Sequence, residues 1–263
     1  MKITLPDNSS RELPEGSSGY DLAKDIGPGL AKSAVAVTID GVQKDLHDEI
    51  MTDSSVSIIT IDSDEGLEIM RHTLTAQVLA RAIKNLYPKS KLAIGPTIED
   101  GFYYDVESEE VISSDDLNKI EEEMKKIIKS KSSITKKLVS RSQAIKVFKS
   151  NKEPYKEIII NESDQDDNFQ LYYQDDEKFV DLCRGPHLPN LGFIGSFKLT
   201  KVSGAYWKGD SNNSMLTRIY GTAFNNEKDL QQHLDNLEEA LKRDHRKLGK
   251  EMDLFHFQDE APG

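Results

Sequence analysis

The sequence predicts an α+β protein built from more than one domain. Short runs of β-branched residues alternate with segments whose apolar residues recur every three or four positions, as in helices. A length of 263 residues allows about two domains, at ~100–200 residues each. We therefore expect a small α+β module, a larger α+β domain and a final helix.

The composition excludes several classes of protein. No apolar run approaches the ~20 residues of a membrane helix, and Pro6 and the first charges come too early for a signal peptide. The single cysteine, Cys183, cannot form an intramolecular disulfide and fits a reducing cytoplasm. A net charge of −12, from 46 acidic and 34 basic residues, argues against a surface that coats nucleic acid broadly, but allows local basic patches.

Residues 1–62 carry the order strand, turn, helix, strand, turn, strand. The chain begins with the alternation of an edge strand, in which Ile3 and Leu5 are apolar. Two β-branched runs, at 34–39 and 56–61, predict further strands. This order favours a β-grasp-like module, although another small α+β domain would also fit.

Turn and capping residues mark where the helix and the hairpin of this module begin and end. Ser17 or Ser18 is placed to cap a short helix, which Gly27 would end. The dipeptide Asp40-Gly41 follows the first β-branched run and is a strong hairpin signal.

The helices and strands of the rest of the chain are predicted from the spacing of apolar residues and from the positions of glycine and proline. We expect helices at 67–86, 117–128, 142–150 and 230–248. We expect strands near 92–96, 101–106, 157–160, 170–173 and 179–182. The last helix has leucines at helical spacing and basic residues clustered at 243–250; this cluster is either a solvated end of a connecting helix or a contact for phosphates.

The segment with the most reactive groups is Asp181-Leu182-Cys183-Arg184-Gly185-Pro186-His187. Gly185 and Pro186 exclude a regular helix, so a turn can aim Cys183 and His187 at one point. A thiolate and an imidazole there can bind a metal, activate water or hold a polar substrate. The pair alone is a weak signal, because Cys and His four residues apart occur often by chance.

Several segments in a fixed order are much more specific. They are 67–72, 94–96, 100–105 (Asp-Gly-Phe-Tyr-Tyr-Asp), 181–187, 204–212 and 218–223. In this order they closely resemble the bacterial threonyl-tRNA synthetases, and the resemblance covers essentially the whole chain. Residues 242–247 are similar to the family's helix that leads into its catalytic domain.

The resemblance implies three regions within the N-terminal part of such a synthetase. Residues 1–62 would be a TGS domain, which is a β-grasp module, residues 63–224 an editing domain, and residues 225–263 a linker helix leading towards the catalytic domain. The editing domain would hydrolyse serine wrongly attached to threonine tRNA. That tRNA is the implied partner, with no membrane or DNA partner. ATP, zinc and dimerisation would belong to the catalytic domain, so no cofactor is expected here.

The resemblance also implies the residues of the editing pocket. They are His72, Tyr104, Lys156, Asp181, Cys183 and His187. By this carry-over, His72, Cys183 and His187 position water and substrate, while Lys156 binds the terminal ribose or the oxyanion. Asp181 would orient its neighbours, and Tyr104 would contact the substrate.

The helix that carries His72 departs from the family pattern. The family has a second histidine four residues on, whereas this chain has Ala76 counting forward from His72 and Gln77 counting back from the following helix. The counts differ by one residue, as if one had been inserted, and a π-bulge would absorb it. Gln77 is therefore a second candidate for substrate contact.

The departure leaves two further alternatives open. A catalytically impaired tRNA-binding module would bind tRNA without hydrolysis, and the TGS-like region could instead have a regulatory role. Alanyl-tRNA synthetase editing domains bind zinc through His and Cys, and His72, Cys183 and His187 could supply three ligands. We nevertheless expect no metal, because the threonyl family is pictured without one and the second histidine is missing.

Overall fold

The computed structural model describes residues 1–174 and 177–242. Within them the predicted α+β class is confirmed, with three sheets and several helices. The predictions for residues 243–263, including the basic cluster at 243–250, lie outside the described residues. None of the described helices combines the length and apolar character needed to cross a bilayer.

The first sheet has five strands in the order β2-β1-β5-β3-β4. They are β1 (Lys2–Thr4), β2 (Ser10–Glu12), β3 (Ala34–Ile39), β4 (Val42–Asp45) and β5 (Ser54–Thr60). Strands β1 and β5 are parallel, and the other pairs are antiparallel. Helices α1 (Gly19–Ile26) and α2 (Pro28–Ser33) connect β2 to β3. This arrangement agrees with the predicted β-grasp class.

Local signals set the ends of these elements. Ser18 caps α1 in a reciprocal capping box with Asp21. Asp40 and Gly41 both have positive φ, 49° and 82°, as a tight hairpin turn between β3 and β4 requires.

The prediction of an edge strand around Ile3 is wrong. Strand β1 lies inside the sheet, between β5 and the short strand β2. Ile3 is fully buried. The polar sequence of β2, Ser10–Glu12, gave no strand signal, so its pairing outside β1 was not foreseen.

The second part of the fold is built on two further sheets. The larger has the order β12-β13-β8-β6, with β7 also pairing with β8. Its strands are β6 (Lys91–Leu92), β7 (Thr97–Ile98), β8 (Gly101–Glu107), β12 (Ser196–Tyr206) and β13 (Met215–Phe224). The smaller has the order β11-β10-β9. Its strands are β9 (Ile134–Val139), β10 (Phe169–Gln174) and β11 (Val180–Leu182).

Helices cover these sheets and close the main core. They are α3 (Asp64–Thr73), a π-helical segment (Leu74–Leu79), α4 (Ala80–Leu86), α5 (Leu117–Lys129), α6 (Arg141–Ser150), α7 (Pro154–Glu162) and α8 (Glu227–Lys242). The π-helical segment packs against α5 and β8 at the centre of the largest buried apolar cluster.

The π-bulge expected in the helix that carries His72 is confirmed. The segment Leu74–Leu79 is π-helical, and all six of its residues are buried. A π turn contains one more residue than an α turn, so the helix can continue from α3 into α4 with both facing the core.

The prediction of a strand at 157–160 is wrong, because this run lies inside helix α7. Its three consecutive isoleucines favour a strand by intrinsic preference. Pro154 at the first turn is a helix-start signal. Tertiary packing decides, since Tyr155, Lys156 and Ile160 are buried on one side of the helix.

We predict that Leu79→Ala lowers the free energy of unfolding by about 2–5 kcal/mol, because it leaves a cavity in a closed core. Leu79 is fully buried, whereas Leu138 is 58% exposed and serves as the control. Leu138→Ala should stay within about 0.5 kcal/mol of the parent. Urea unfolding followed by circular dichroism measures both, and equal losses would contradict the assigned core.

Candidate functional site

Four of the predicted site residues line one cavity of about 730 Å³. They come from α3, α7, β11 and the chain that follows β11. The cavity wall includes His72, Ala76, Lys156, Asp181, Cys183 and Arg184. Residues distant in sequence are thus brought to one concave surface, as a binding site requires.

A buried ion pair forms the floor of this cavity. The Lys156 Nζ and the Asp181 Oδ1 lie 2.5 Å apart, and their side chains are 4% and 2% exposed. The Leu182 amide also donates to Asp181 Oδ1 at 2.8 Å, and the Tyr104 hydroxyl donates to Oδ2 at 3.3 Å. Burial raises the pKa of the Asp181 carboxyl, and the Lys156 ammonium opposes that shift.

A neutral thiol and a neutral imidazole meet beside this pair. The His72 Nε2 and the Cys183 Sγ lie 2.7 Å apart. Burial raises the pKa of the Cys183 thiol to about 12. Burial also lowers the pKa of the His72 imidazole to about 4. At neutral pH the two side chains therefore form an uncharged, hydrogen-bonded pair.

His187 lies directly behind His72 and does not line the cavity. The two imidazole rings stack with centroids 4.6 Å apart. The edge of Tyr172 meets the His187 ring at a centroid distance of 4.4 Å. His187 is 2% exposed, and burial, followed by the charge of His72, lowers its pKa well below the ordinary value. A neutral His187 thus buttresses His72.

The hydrogen bonds of His187 fix its ring. The Thr73 Oγ1 lies 3.1 Å from Nδ1, and the same hydroxyl accepts the Leu188 amide at 3.0 Å. Among the described residues, His187 Nε2 has no hydrogen-bond partner.

Ala76 and Gln77 are the two candidates for the position where the family has its second histidine, and the structure places them differently. Ala76 lines the cavity, whereas Gln77 is fully buried. The Gln174 amide donates to the Gln77 carbonyl at 2.7 Å, so Gln77 is held by β10. Like Gln77, Tyr104 lies behind the cavity wall, where it contacts Asp181.

Sequence reasoning missed the residues that support this site from behind. Thr73 and Tyr172 contact His187, and Asp45 of β4 accepts the His187 backbone amide at 2.8 Å. No local pattern marks Asp45, because 142 positions separate it from His187. The only sequence hint is that Thr73 follows His72 directly.

Among the residues that the structure describes, the cluster with possible metal ligands is His72, Cys183 and His187. The ligand atoms of His72, Cys183 and His187 all lie within 4.8 Å of one another. Zinc would need about 3.5 Å between a nitrogen and a sulfur ligand and would need a thiolate. In this structure the His72 Nε2 and the Cys183 Sγ lie 2.7 Å apart, in direct contact, so zinc binding would require these two ligands to separate.

Two protein-family models match parts of this chain. The TGS domain matches residues 1–60, and the domain described as "Threonyl and Alanyl tRNA synthetase second additional domain" matches residues 170–220. The second match includes Asp181, Cys183 and His187, which belong to the site described above.

Full-length similarity agrees with these matches. Threonine–tRNA ligases of Hahella chejuensis (strain KCTC 2396) and Saccharophagus degradans (strain 2-40) are 51% identical over 261 residues, or 99% of this chain. That of Prochlorococcus marinus (strain MIT 9211) is 49% identical over 261 residues. Almost the whole chain is therefore similar to a part of these threonine–tRNA ligases. It spans 40% to 41% of the length of these relatives.

The burial of Cys183 can be tested through the reactivity of its thiol. Because the pKa of Cys183 is raised from 9.0 to about 12, we predict that iodoacetamide modifies the folded protein at pH 8 at least about 100-fold more slowly than the urea-unfolded chain. Mass spectrometry gives both rates without ambiguity, since Cys183 is the only cysteine. Similar rates in the two states would show a solvated thiol and contradict the described pair.

Proposed function

We propose that this region edits threonine tRNA by hydrolysing the ester of serine attached to it in error. The observation that carries the proposal is the single cavity that unites Lys156, Asp181, His72 and Cys183. Membership of the second additional domain family supports the same activity. The partner would be the acceptor end of threonine tRNA, in the cytoplasm.

Physical chemistry explains why a threonine ligase needs a second site. Serine lacks one methyl group of threonine, and a pocket rejects such a difference by only about 1–3 kcal/mol, or 10–200-fold. Recognition of the shared hydroxyl cannot separate them. A separate hydrolytic site that admits only the smaller side chain supplies the remaining accuracy.

We propose direct attack by water rather than a covalent intermediate. The thiol pKa of about 12 keeps Cys183 protonated, so it is a poor nucleophile at neutral pH. His72 and Cys183 instead orient a water. In the tautomer whose Nε2–H donates to the Cys183 Sγ, the free His72 Nδ1 takes a proton from the water as the water oxygen attacks the ester carbonyl carbon. The bond to the ribose oxygen then breaks, that oxygen takes up the proton, and free serine leaves.

Lys156 would stabilise the charge that develops on the carbonyl oxygen. An ammonium has three donors, so Lys156 can bind Asp181 and also donate to the substrate. Asp181 fixes the direction of the ammonium, and such preorganised charge is worth about 10²–10³ in rate. Tyr104 and His187 would act from behind as supports of Asp181 and His72.

A second candidate function is tRNA binding without hydrolysis. Ala76 favours it, because its methyl group provides neither donor nor acceptor at the cavity wall. Such a module would bind threonine tRNA with an affinity that falls steeply with salt, and it would leave a seryl ester intact.

In a whole ligase, we propose that the catalytic domain binds ATP and zinc and forms the homodimer contacts.

We predict that Lys156→Met lowers the rate of serine release from serine-charged threonine tRNA by about 100-fold or more. Lys137→Met is the matched control, because Lys137 pairs with Glu177 and is 49% exposed. Since Lys156→Met leaves Asp181 buried and unpaired, Lys156→Met/Asp181→Leu should restore folding but not hydrolysis.

The same assay decides between the two functions. A Cys183→Ala/His187→Ala double variant that releases serine as fast as the parent protein would contradict the hydrolytic proposal. Retained tRNA binding in that variant, with no hydrolysis by the parent, would favour the binding module.

The pH dependence of hydrolysis tests His72 as the proton acceptor. Its pKa is lowered from 6.5 to about 4, so the base is already unprotonated at pH 6. We predict that kcat/KM, corrected for spontaneous ester hydrolysis, stays level from pH 7 to about pH 5.5 and falls only towards pH 4. A rate that is halved near pH 6.5 would indicate a solvated histidine and contradict the assignment.

A further inference from the structure

Asp45 connects the first sheet to the segment after β11. It is the last residue of β4, the edge strand of the first sheet. Its Oδ1 accepts the backbone amide of His187 at 2.8 Å, and its Oδ2 accepts the Tyr172 hydroxyl at 2.8 Å. The Lys136 Nζ lies 2.8 Å from the same Oδ2.

These contacts are of the strong kind. An ionised carboxylate that accepts from an amide, a hydroxyl and an ammonium forms charge-assisted hydrogen bonds, which are stronger than neutral ones. The Asp45 side chain is 15% exposed and that of Lys136 is 17% exposed, so solvent screens the group only in part.

Asp45 fixes His187 in two ways. It binds the backbone of His187 and also the hydroxyl of Tyr172, whose ring edge contacts that imidazole. The His187 ring also stacks on His72. The position of His72 beside Cys183 therefore depends, through one intermediate ring, on a carboxylate in another sheet.

The backbone of the cysteine loop, residues 183–187, passes close to the Tyr172 side chain that Asp45 binds. Gly185 has a φ of +64°. A Cβ at this position would lie 2.0 Å from the Tyr172 hydroxyl oxygen. The loop thus passes directly over the tyrosine that Asp45 binds, and only glycine fits there.

We propose that Asp45 is a positioning residue for the cysteine loop. Through it, the TGS-type sheet sets the geometry of the cavity in the neighbouring domain. The catalytic consequence rests on the proposed editing function. The positional role does not, because it concerns the place of Cys183 and His187 whether or not an ester is hydrolysed.

Asp48 provides a matched control, because it is an acidic residue that pairs with the same lysine. Its Oδ2 lies 2.5 Å from the Lys136 Nζ, so it shares the cation that Asp45 binds. Among the described residues, Asp48 has no hydrogen bond to the cysteine loop. Asp48→Ala therefore removes one carboxylate from Lys136 and leaves the loop contacts in place.

The test measures the loop directly, in the full chain and without tRNA. We expect Asp45→Ala to raise both the alkylation rate of Cys183 and the hydrogen-exchange rate of the His187 amide by about tenfold or more, because strong hydrogen bonds to the loop are lost. Asp48→Ala should change both rates by less than about twofold. Alkylation is read by mass spectrometry and amide exchange by NMR.

Asp45→Asn separates positioning from overall folding. The amide keeps the shape and an oxygen acceptor for the His187 amide, so this variant should restore most of the protection of Cys183. If Asp45→Ala leaves alkylation and exchange unchanged, or if Asp48→Ala raises them equally, the proposal is overturned.

Serine release adds the catalytic consequence. For a positioning residue, Asp45→Ala should lower kcat more than it raises KM, and Asp45→Asn should recover kcat. A parent protein that hydrolyses no seryl ester would overturn the editing function alone, because the thiol and amide measurements need no reaction.

Discussion

The buried ion pair between Lys156 and Asp181 is the contact on which the site depends. It joins helix α7 to strand β11, and its carboxylate also accepts the Tyr104 hydroxyl from β8. Burying two charges is costly unless their remaining donors and acceptors are satisfied. Here both oxygens of Asp181 have donors, so the pair specifies one relative position of three elements. The cavity lies where those elements meet.

Burial also keeps the neighbouring side chains uncharged. It raises the pKa of the Cys183 thiol and lowers the pKa values of the His72 and His187 imidazoles, so all three are neutral at neutral pH. The wall therefore places the Lys156–Asp181 ion pair beside two uncharged groups, His72 and Cys183. That combination favours water attack on an ester, in which negative charge appears on one oxygen and a proton must move.

Local signals in the sequence predict much of the fold, whereas the candidate site residues follow from the ordered motifs and their resemblance to a family, and four of them line one cavity. The Ser18 cap and the π-bulge after His72 are both present in the backbone. Packing decided the rest: α7 is helical despite its isoleucines, and the π turn brings Ala76, not Gln77, to the cavity. Asp45 could not be predicted, because its role arises only when two distant sheets meet.

The central claim is that the cavity beside Lys156 accepts a seryl group attached to adenosine. The most direct measurement is protection of Cys183 from alkylation by a stable analogue, in which serine is joined by an amide to 3′-amino-3′-deoxyadenosine. The account predicts saturable protection in the parent protein and in Lys137→Met, and none in the Lys156→Met/Asp181→Leu variant. Equal protection in all three proteins, or none in the parent, would contradict it.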